Sequence, residues 1–162
     1  MQFLGQLRVE SHLLLMFMCE NDPGCCEQWD ALSGGNAVLK VSVDKDFSAM
    51  VAPSEGITIR DTRYGGTLVD VEDGDYLTRK SECAAQLGTD YANVLGQFQG
   101  EPDWLQADET PACSGCGRRM QFVAQLEQGP EPATEMNFGG LGRAYVFDCT
   151  CGSEQAKFLW QC

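Results

Sequence analysis

The residues best suited to chemistry in this chain are cysteines. "CSGCG", from Cys113 to Gly117, is a Cys-x-x-Cys-Gly knuckle; its glycines let backbone amides turn toward two thiolates held at one point. "CTC" follows at 149–151, where a predicted strand ends. Two cysteines at i and i+2 on a strand point to one face, so Cys149 and Cys151 can join Cys113 and Cys116 in a tetrahedral site of four thiolates. Soft thiolates in that array suit zinc, in a structural role.

Other readings stand beside this one. Cys113 and Cys116 can be a redox pair, although they lie in a loop leading into a strand and lack the helix dipole that lowers a thiol pKa. Cys149 and Cys151 can be core thiols, Cys162 can replace either as fourth ligand, or the loop can pack without metal. Cys19, Cys25 and Cys26 form a second cluster with no knuckle upstream, since the equivalent of 113–116 would precede Met1; core packing is expected for them.

Little else suggests catalysis. The single histidine, His12, opens an apolar strand and reads as a structural or edge residue, so histidine-dependent triads have no support. "SGGN", "YGGT" and "FGGLGR" lack the Gly-Lys-Ser/Thr of a phosphate loop. The chain reads as a binding protein, not an enzyme.

The elements that must position the cysteines are mostly strands. Segments 2–9 and 12–19 read as a hairpin, with "HLLLMFMC" continuous enough to be buried on both faces. "NAVLKVSVD", "GITIRD" and "GTLVDVE" suggest further strands, and 119–127 and 143–149 a later pair. One amphipathic helix is predicted over 73–87, stopped by Gly88. Residues 96–118 form a long structured connection around Trp104, and 128–142 a Gly/Pro-rich loop.

The chain also repeats itself. Phe3-Leu4-Gly5-Gln6-Leu7 aligns with Phe122-Val123-Ala124-Gln125-Leu126, and Leu15 to Cys19 with Tyr145 to Cys149; Trp29 and Trp160 then follow. The expected fold is therefore mainly β (α+β with a minor helix), as duplicated pseudo-symmetric β units sharing one core. The single domain, 1–162, divides into a first unit (1–45), middle strands and helix (46–95), and a second unit with the cysteine cluster (96–162).

Of 162 residues, 43% are hydrophobic and 22% charged, which fits a folded protein and opposes disorder. No apolar run approaches the roughly 20 residues of a membrane span, and no secretory signal is apparent, so the expected compartment is the cytosol. Net charge is −13, shared almost evenly between residues 1–81 and 82–162. Such acidity disfavours nucleic acid, which requires Lys and Arg, and favours a basic protein partner. Candidate contacts are Asp70, Glu72, Asp73 and Asp75, then Asp103, Asp108 and Glu109 around Trp104 as an aromatic anchor.

Taken together, "EPDWLQ", "CSGCG", "MQFVAQL", a Gly-rich loop, "GRAYVFDC" and "FLWQC" resemble the bacterial YwqG-like family and, more distantly, the C-terminal region of programmed cell death protein 2. The likeness is strong over 96–162 and weaker over 1–45. It implies a duplicated, mostly β architecture with Cys113, Cys116, Cys149 and Cys151 at the family's paired-cysteine positions. It also implies immunity proteins of bacterial toxin gene clusters or, from the eukaryotic relatives, escorts of a basic ribosomal protein, neither using catalytic residues. The chain departs from the family by lacking the segment usually found before the first "FLGQL".

Overall fold

A computed structural model describes residues 1–21, 24–43, 54–55, 65–72, 74–132, 135–153 and 155–162. Seven strands form one antiparallel sheet in the order β1-β2-β3-β7-β6-β5-β4. They are β1 (Gln2–Val9), β2 (His12–Met18), β3 (Asn36–Ser42), β4 (Gly96–Phe98), β5 (Gln121–Glu127), β6 (Arg143–Asp148) and β7 (Gln155–Gln161), with one α-helix, α1 (Tyr76–Leu87). The fold is mainly β, as the alternation of apolar residues predicts. The strand expected at "GITIRD" lies outside the described residues. That expected at "GTLVDVE" is absent: 66–72 is coil, with Leu68 75% exposed. β-branched composition makes a strand only where a ladder neighbour and a buried face are on offer.

The repeat is visible in the hydrogen-bond register. In β1·β2, Phe3 faces Phe17 and Gly5 faces Met16, so Leu4 is a bulge; in β5·β6, Phe122 faces Phe147 and Ala124 faces Val146, so Val123 is a bulge. The same residue is skipped in both copies. A third strand continues each hairpin, Met18 facing Asn36 in one unit and Asp148 facing Ala156 in the other. β3 and β7 then meet as antiparallel neighbours at the centre, with Val38 opposite Ala156. Exchanging the units turns that pair into Phe158 and Asn36, which falls on the same register line. The two three-stranded meanders are thus related by a pseudo-twofold axis that passes through the β3–β7 seam perpendicular to the sheet.

One part of the sequence parallel does not survive. Trp160 faces Ala144, just as Lys40 faces Leu14, so the counterpart of Trp160 is Lys40 and not Trp29. Trp29 lies in the connection before β3, packs edge-on against Trp160 with ring centroids 6.2 Å apart, and accepts its backbone N–H at 3.1 Å. The two rings touch; they do not correspond. The connection 19–35 is much longer than 149–154, so counting onward from the cysteines loses register.

Both faces of the sheet carry a core. Ala144 and Val146 of β6 pack on one face with Leu14, Met16, Met18 and Phe158, under Phe138. Tyr145 and Phe147 pack on the other with Leu159, Phe122, Met120 and Trp104. β6 is therefore buried on both sides, which its continuous apolar run requires. β2 is not: Leu14, Met16 and Met18 are buried, while Leu13, Leu15 and Phe17 are only partly covered, in contrast to the expectation from its sequence.

Helix α1 begins three residues later than predicted. Asp75 is its N-cap, its carboxylate accepting from Thr78 N at 3.0 Å, and Gly88 ends it in the left-handed region at φ 62°. The Thr78 side chain and amide hold the Asp75 carboxyl below its usual range. The capping contribution is therefore complete above the ordinary carboxylate pKa and lost as pH falls through the lowered value. Asp75→Ala is expected to lower the melting temperature by roughly 2–4 °C at neutral pH, with the difference shrinking in acid. Thermal melts across pH check both.

A clamp that the sequence did not disclose fastens α1 to the sheet. Glu127 of β5 receives Lys80, whose side chain is 3% exposed, on one oxygen and the Tyr76 hydroxyl, at 2.7 Å, on the other. Lys80 also sits 4.1 Å from the centre of the Tyr91 ring, and Arg143 5.1 Å from that of Tyr76. Burial, and then the Glu127 carboxylate, raise the Tyr76 pKa, so its hydroxyl stays protonated as a donor.

Candidate metal centre

The knuckle is built by a tight loop. Gly117 N–H donates to Cys113 O, and Cys113 N–H donates to Arg118 O, both at 2.8 Å, with Gly117 at φ 71°. The chain then turns into β5. Gly115 is required for close approach, because a Cβ there would lie 2.7 Å from Ser153 Cβ. The second pair leaves the end of β6: Cys149 N–H donates to the Asp148 carboxylate at 2.8 Å and to Gln155 O at 3.0 Å. Asp148 is itself held at 2.8 Å by Lys40 of β3, which ties the first unit to the strand end carrying Cys149.

These elements bring the four predicted cysteines together. Their sulfurs all lie within 4.8 Å of one another, with Cys113–Cys151 and Cys116–Cys149 separated by 3.7 Å. Four sulfurs about 2.3 Å from a zinc stand about 3.8 Å apart. Two of the separations match that value and none exceeds 4.8 Å, so the four sulfurs are compatible with a tetrahedral zinc site. Cys162 does not belong to it. It lies beyond the far end of β7, so close to Gly139 that a Cβ there would approach its sulfur to 2.6 Å. Among the described residues no other three or more Cys, His, Asp or Glu side chains gather in this way.

The thiols influence one another and are ordered by a neighbouring hydroxyl. Ser153 Oγ sits 3.3 Å from Cys113 Sγ and 3.0 Å from Cys151 Sγ. The Ser153 hydroxyl, then the amides of Cys116 and Gly115, hold the Cys113 thiol down at about 6 despite burial. Cys151 is lowered by Ser153 and then by Cys149. Cys149 is pushed up to about 12: its strongest single influence, the Cys151 amide, lowers it, but the other three thiols and burial together outweigh that. The thiols oppose one another's ionisation, and Cys149 carries most of that penalty. Arg118 supplies some compensation from outside, its pKa raised by a hydrogen bond to Cys116 and by the charge of Cys116, Cys149 and Cys151. A bound metal must displace the remaining protons, so affinity falls as pH is lowered. Ser153 and Arg118 were missed in the sequence; Ser153 follows "CTC" by two residues, but nothing in its spacing marks it as a partner of Cys113.

The predicted partner residues are dispersed in role. Asp73 lies outside the described residues. Asp75 caps α1; Asp103 pairs with Arg143; Asp108 pairs with Arg119 at 2.5 Å; Glu109 accepts from Gln161 Nε2 at 3.0 Å. Asp70 and Glu72 are exposed. Trp104 is partly buried, with its ring 4.4 Å from that of Tyr145 and 6.0 Å from that of Phe147. The Tyr145 hydroxyl donates to Asp103 O at 2.9 Å and accepts from Leu105 N–H at 3.1 Å, fixing the connection over the sheet. Trp104 also lines an open cleft of about 420 Å³, with Phe122, Phe147 and Met120 beside it and Glu101, Asp108 and Arg119 among its lining residues. His12 meets only Ser11 Oγ, at 3.3 Å, among side chains whose contacts are described.

No helix among the described residues is long and apolar enough to cross a membrane. No family model, curated protein or solved structure matches the chain.

Proposed function

We propose that this chain is a non-enzymatic, acidic binding protein, stabilised by one structural zinc on Cys113, Cys116, Cys149 and Cys151, that covers a basic surface of another protein. In its sharper form it is a cytoplasmic immunity protein neutralising a cognate basic toxin, such as a nuclease whose phosphate-binding surface is positive. The observation that carries the reading is the cleft of about 420 Å³ beside the knuckle, lined by Trp104, Phe122 and Phe147 and edged by Glu101 and the Asp108–Arg119 pair, in a chain of net charge −13. The partly exposed Trp104 and Phe122 supply apolar contact area and attract cations, while the net negative charge of the chain accelerates encounter with a basic partner. The zinc serves this function by holding the knuckle, and with it one side of the cleft, in place. A closed set of four ligands leaves no position for a substrate.

Co-expression with the neighbouring gene, followed by pull-down, tests the reading. A basic protein should be recovered, and charge reversal at Asp70, Glu72 and Glu101 should slow association by roughly tenfold at low salt and flatten its salt dependence. Those side chains are preferred to Asp75 and Asp103, which have internal tasks. Trp104→Ala should speed dissociation, but the ring also packs on Tyr145, so that variant is paired with a melting curve. Recovery of no basic protein, together with turnover of a disulfide substrate that depends on Cys113, would reverse the assignment to a thiol enzyme.

A further inference from the structure

The pseudo-twofold relation equates Cys19, which follows Met18 at the end of β2, with Cys149, which follows Asp148 at the end of β6. In the second unit that cysteine meets the knuckle. In the first it meets Cys26, with the two sulfurs 2.9 Å apart. This spacing is too short for two ligands of one tetrahedral zinc, whose sulfurs stand about 3.8 Å apart. It lies between that separation and the bond of about 2 Å in a disulfide.

The connection holds the pair in this position by its own hydrogen bonds. Cys19 N–H donates to Gly35 O at 2.8 Å, and Gly35 lies so close beneath the turn that a Cβ would come within 2.1 Å of Cys26 O and 2.8 Å of Gln28 Cα. Asn36 Nδ2 donates to Gln28 O at 2.8 Å and to Asp30 O at 3.0 Å, and Ser33 Oγ donates to Glu27 O at 2.5 Å. Glu27, next to Cys26, is in the left-handed region at φ 47°. Both cysteines are only partly buried, whereas the neighbouring Cys25 is exposed.

We propose that Cys19 and Cys26 are an oxidisable dithiol that closes to an intramolecular disulfide by exchange with a small-molecule disulfide. One thiolate attacks the reagent, forming a mixed disulfide and releasing one thiol. The second thiolate then attacks the protein sulfur of that mixed disulfide and releases the other. The cysteine pair loses two electrons and two protons, and one disulfide becomes two thiols. Because the partner sulfur is already in place, the second step outruns release of the mixed species. Closure ties the connection carrying Trp29, and hence the ring against Trp160, to the end of β2. The inference depends on neither the zinc nor the partner.

The test is oxidation of the intact protein with oxidised glutathione, alkylation of the remaining thiols, and mass spectrometry after cleavage at glutamate. Glu20 lies between the two cysteines, so a disulfide links the fragment ending at Glu20 to the one ending at Glu27. The expected result is that linked pair in the native protein, with two fewer alkylatable thiols. The link should persist in Cys25→Ser, vanish in Cys26→Ser and form several-fold more slowly in Gly35→Ala. Three alkylatable thiols at 19, 25 and 26 after oxidation, a stable glutathione adduct at Cys19, or an equal yield of link in Cys26→Ser would each overturn it. Fragmentation of the linked pair from native protein, which must place the bridge on Cys26 and not Cys25, decides the matter even if a variant fails to fold, and a bridge to Cys25 would overturn the proposal.

Discussion

Cys113→Ser protein, purified without added metal, is expected to carry less than about a tenth of an equivalent of zinc and to melt roughly 10 °C or more below the parent, which should hold close to one equivalent. The large effect follows from what the cage fastens. Cys113 and Cys116 lie between the long connection and β5, while Cys149 and Cys151 lie between β6 and β7, so one ion would reinforce the end of the β5·β6 ladder and the hydrogen bond from Ser114 to Gln155. Without a cation, thiols whose ionisation is favoured by Ser153 and backbone amides face one another in a partly buried cage. Serine at 113 removes a ligand that Cys162 cannot replace, because Cys162 follows the opposite end of β7, against Gly139. Chelation of the parent at neutral pH should produce a similar loss, and acidification should release zinc as protons compete for the sulfurs. Elemental analysis and melting curves decide; parent protein that is folded, reduced and zinc-free would remove the metal from this account.

Glu127→Gln is the second substitution with a large expected cost, about 3 kcal/mol in denaturant unfolding. Gln keeps an acceptor for the Tyr76 hydroxyl but withdraws the charge opposite Lys80, whose side chain is 3% exposed. Glu127 itself is 22% exposed, so solvent screens part of the loss, and the low end of the range for a broken buried pair is appropriate. Adding Lys80→Met should restore part of the stability, since it removes the buried ammonium left unmatched, while Arg143, 3.7 Å from Glu127 in the parent, keeps its pair with Asp103. A double variant no more stable than Glu127→Gln alone would show that Lys80 acts chiefly through the Tyr91 ring.

The contrast between these two sites explains what could be read from the residues alone. The cage was legible because its parts are local: two cysteines three apart in a glycine turn, and two cysteines two apart at a strand end, each with one geometric consequence. The repeat was legible because β1 and β5 share a Phe followed by Gln-Leu, and β2 and β6 each run out in Phe-x-Cys. The clamp was not, since nothing about a lysine in α1 and a glutamate in β5 distinguishes them from other charges until the chain is folded. Among the acids nominated as contacts, Asp103 and Asp108 proved to be paired with Arg143 and Arg119, because a surplus of carboxylates does not reveal which ones meet the few arginines. Trp29 and Trp160 misled for a related reason: similar distance from a cysteine imitated correspondence where the fold made contact.

The seam between β3 and β7 also bears on how the chain folds. Each hairpin joins neighbours in sequence, and β1·β2 and β5·β6 can form as soon as their turns close, whereas Val38 meets Ala156 only after the intervening chain has been brought round. Closing so long a loop costs entropy before any seam contact repays it, so the halves are expected to form early and their union to limit the rate. During synthesis the first half must wait for the second. Until β7 is made, β3 presents an open edge of unpaired amides and carbonyls, and this interval is when the nascent protein is most exposed to pairing with a neighbouring chain.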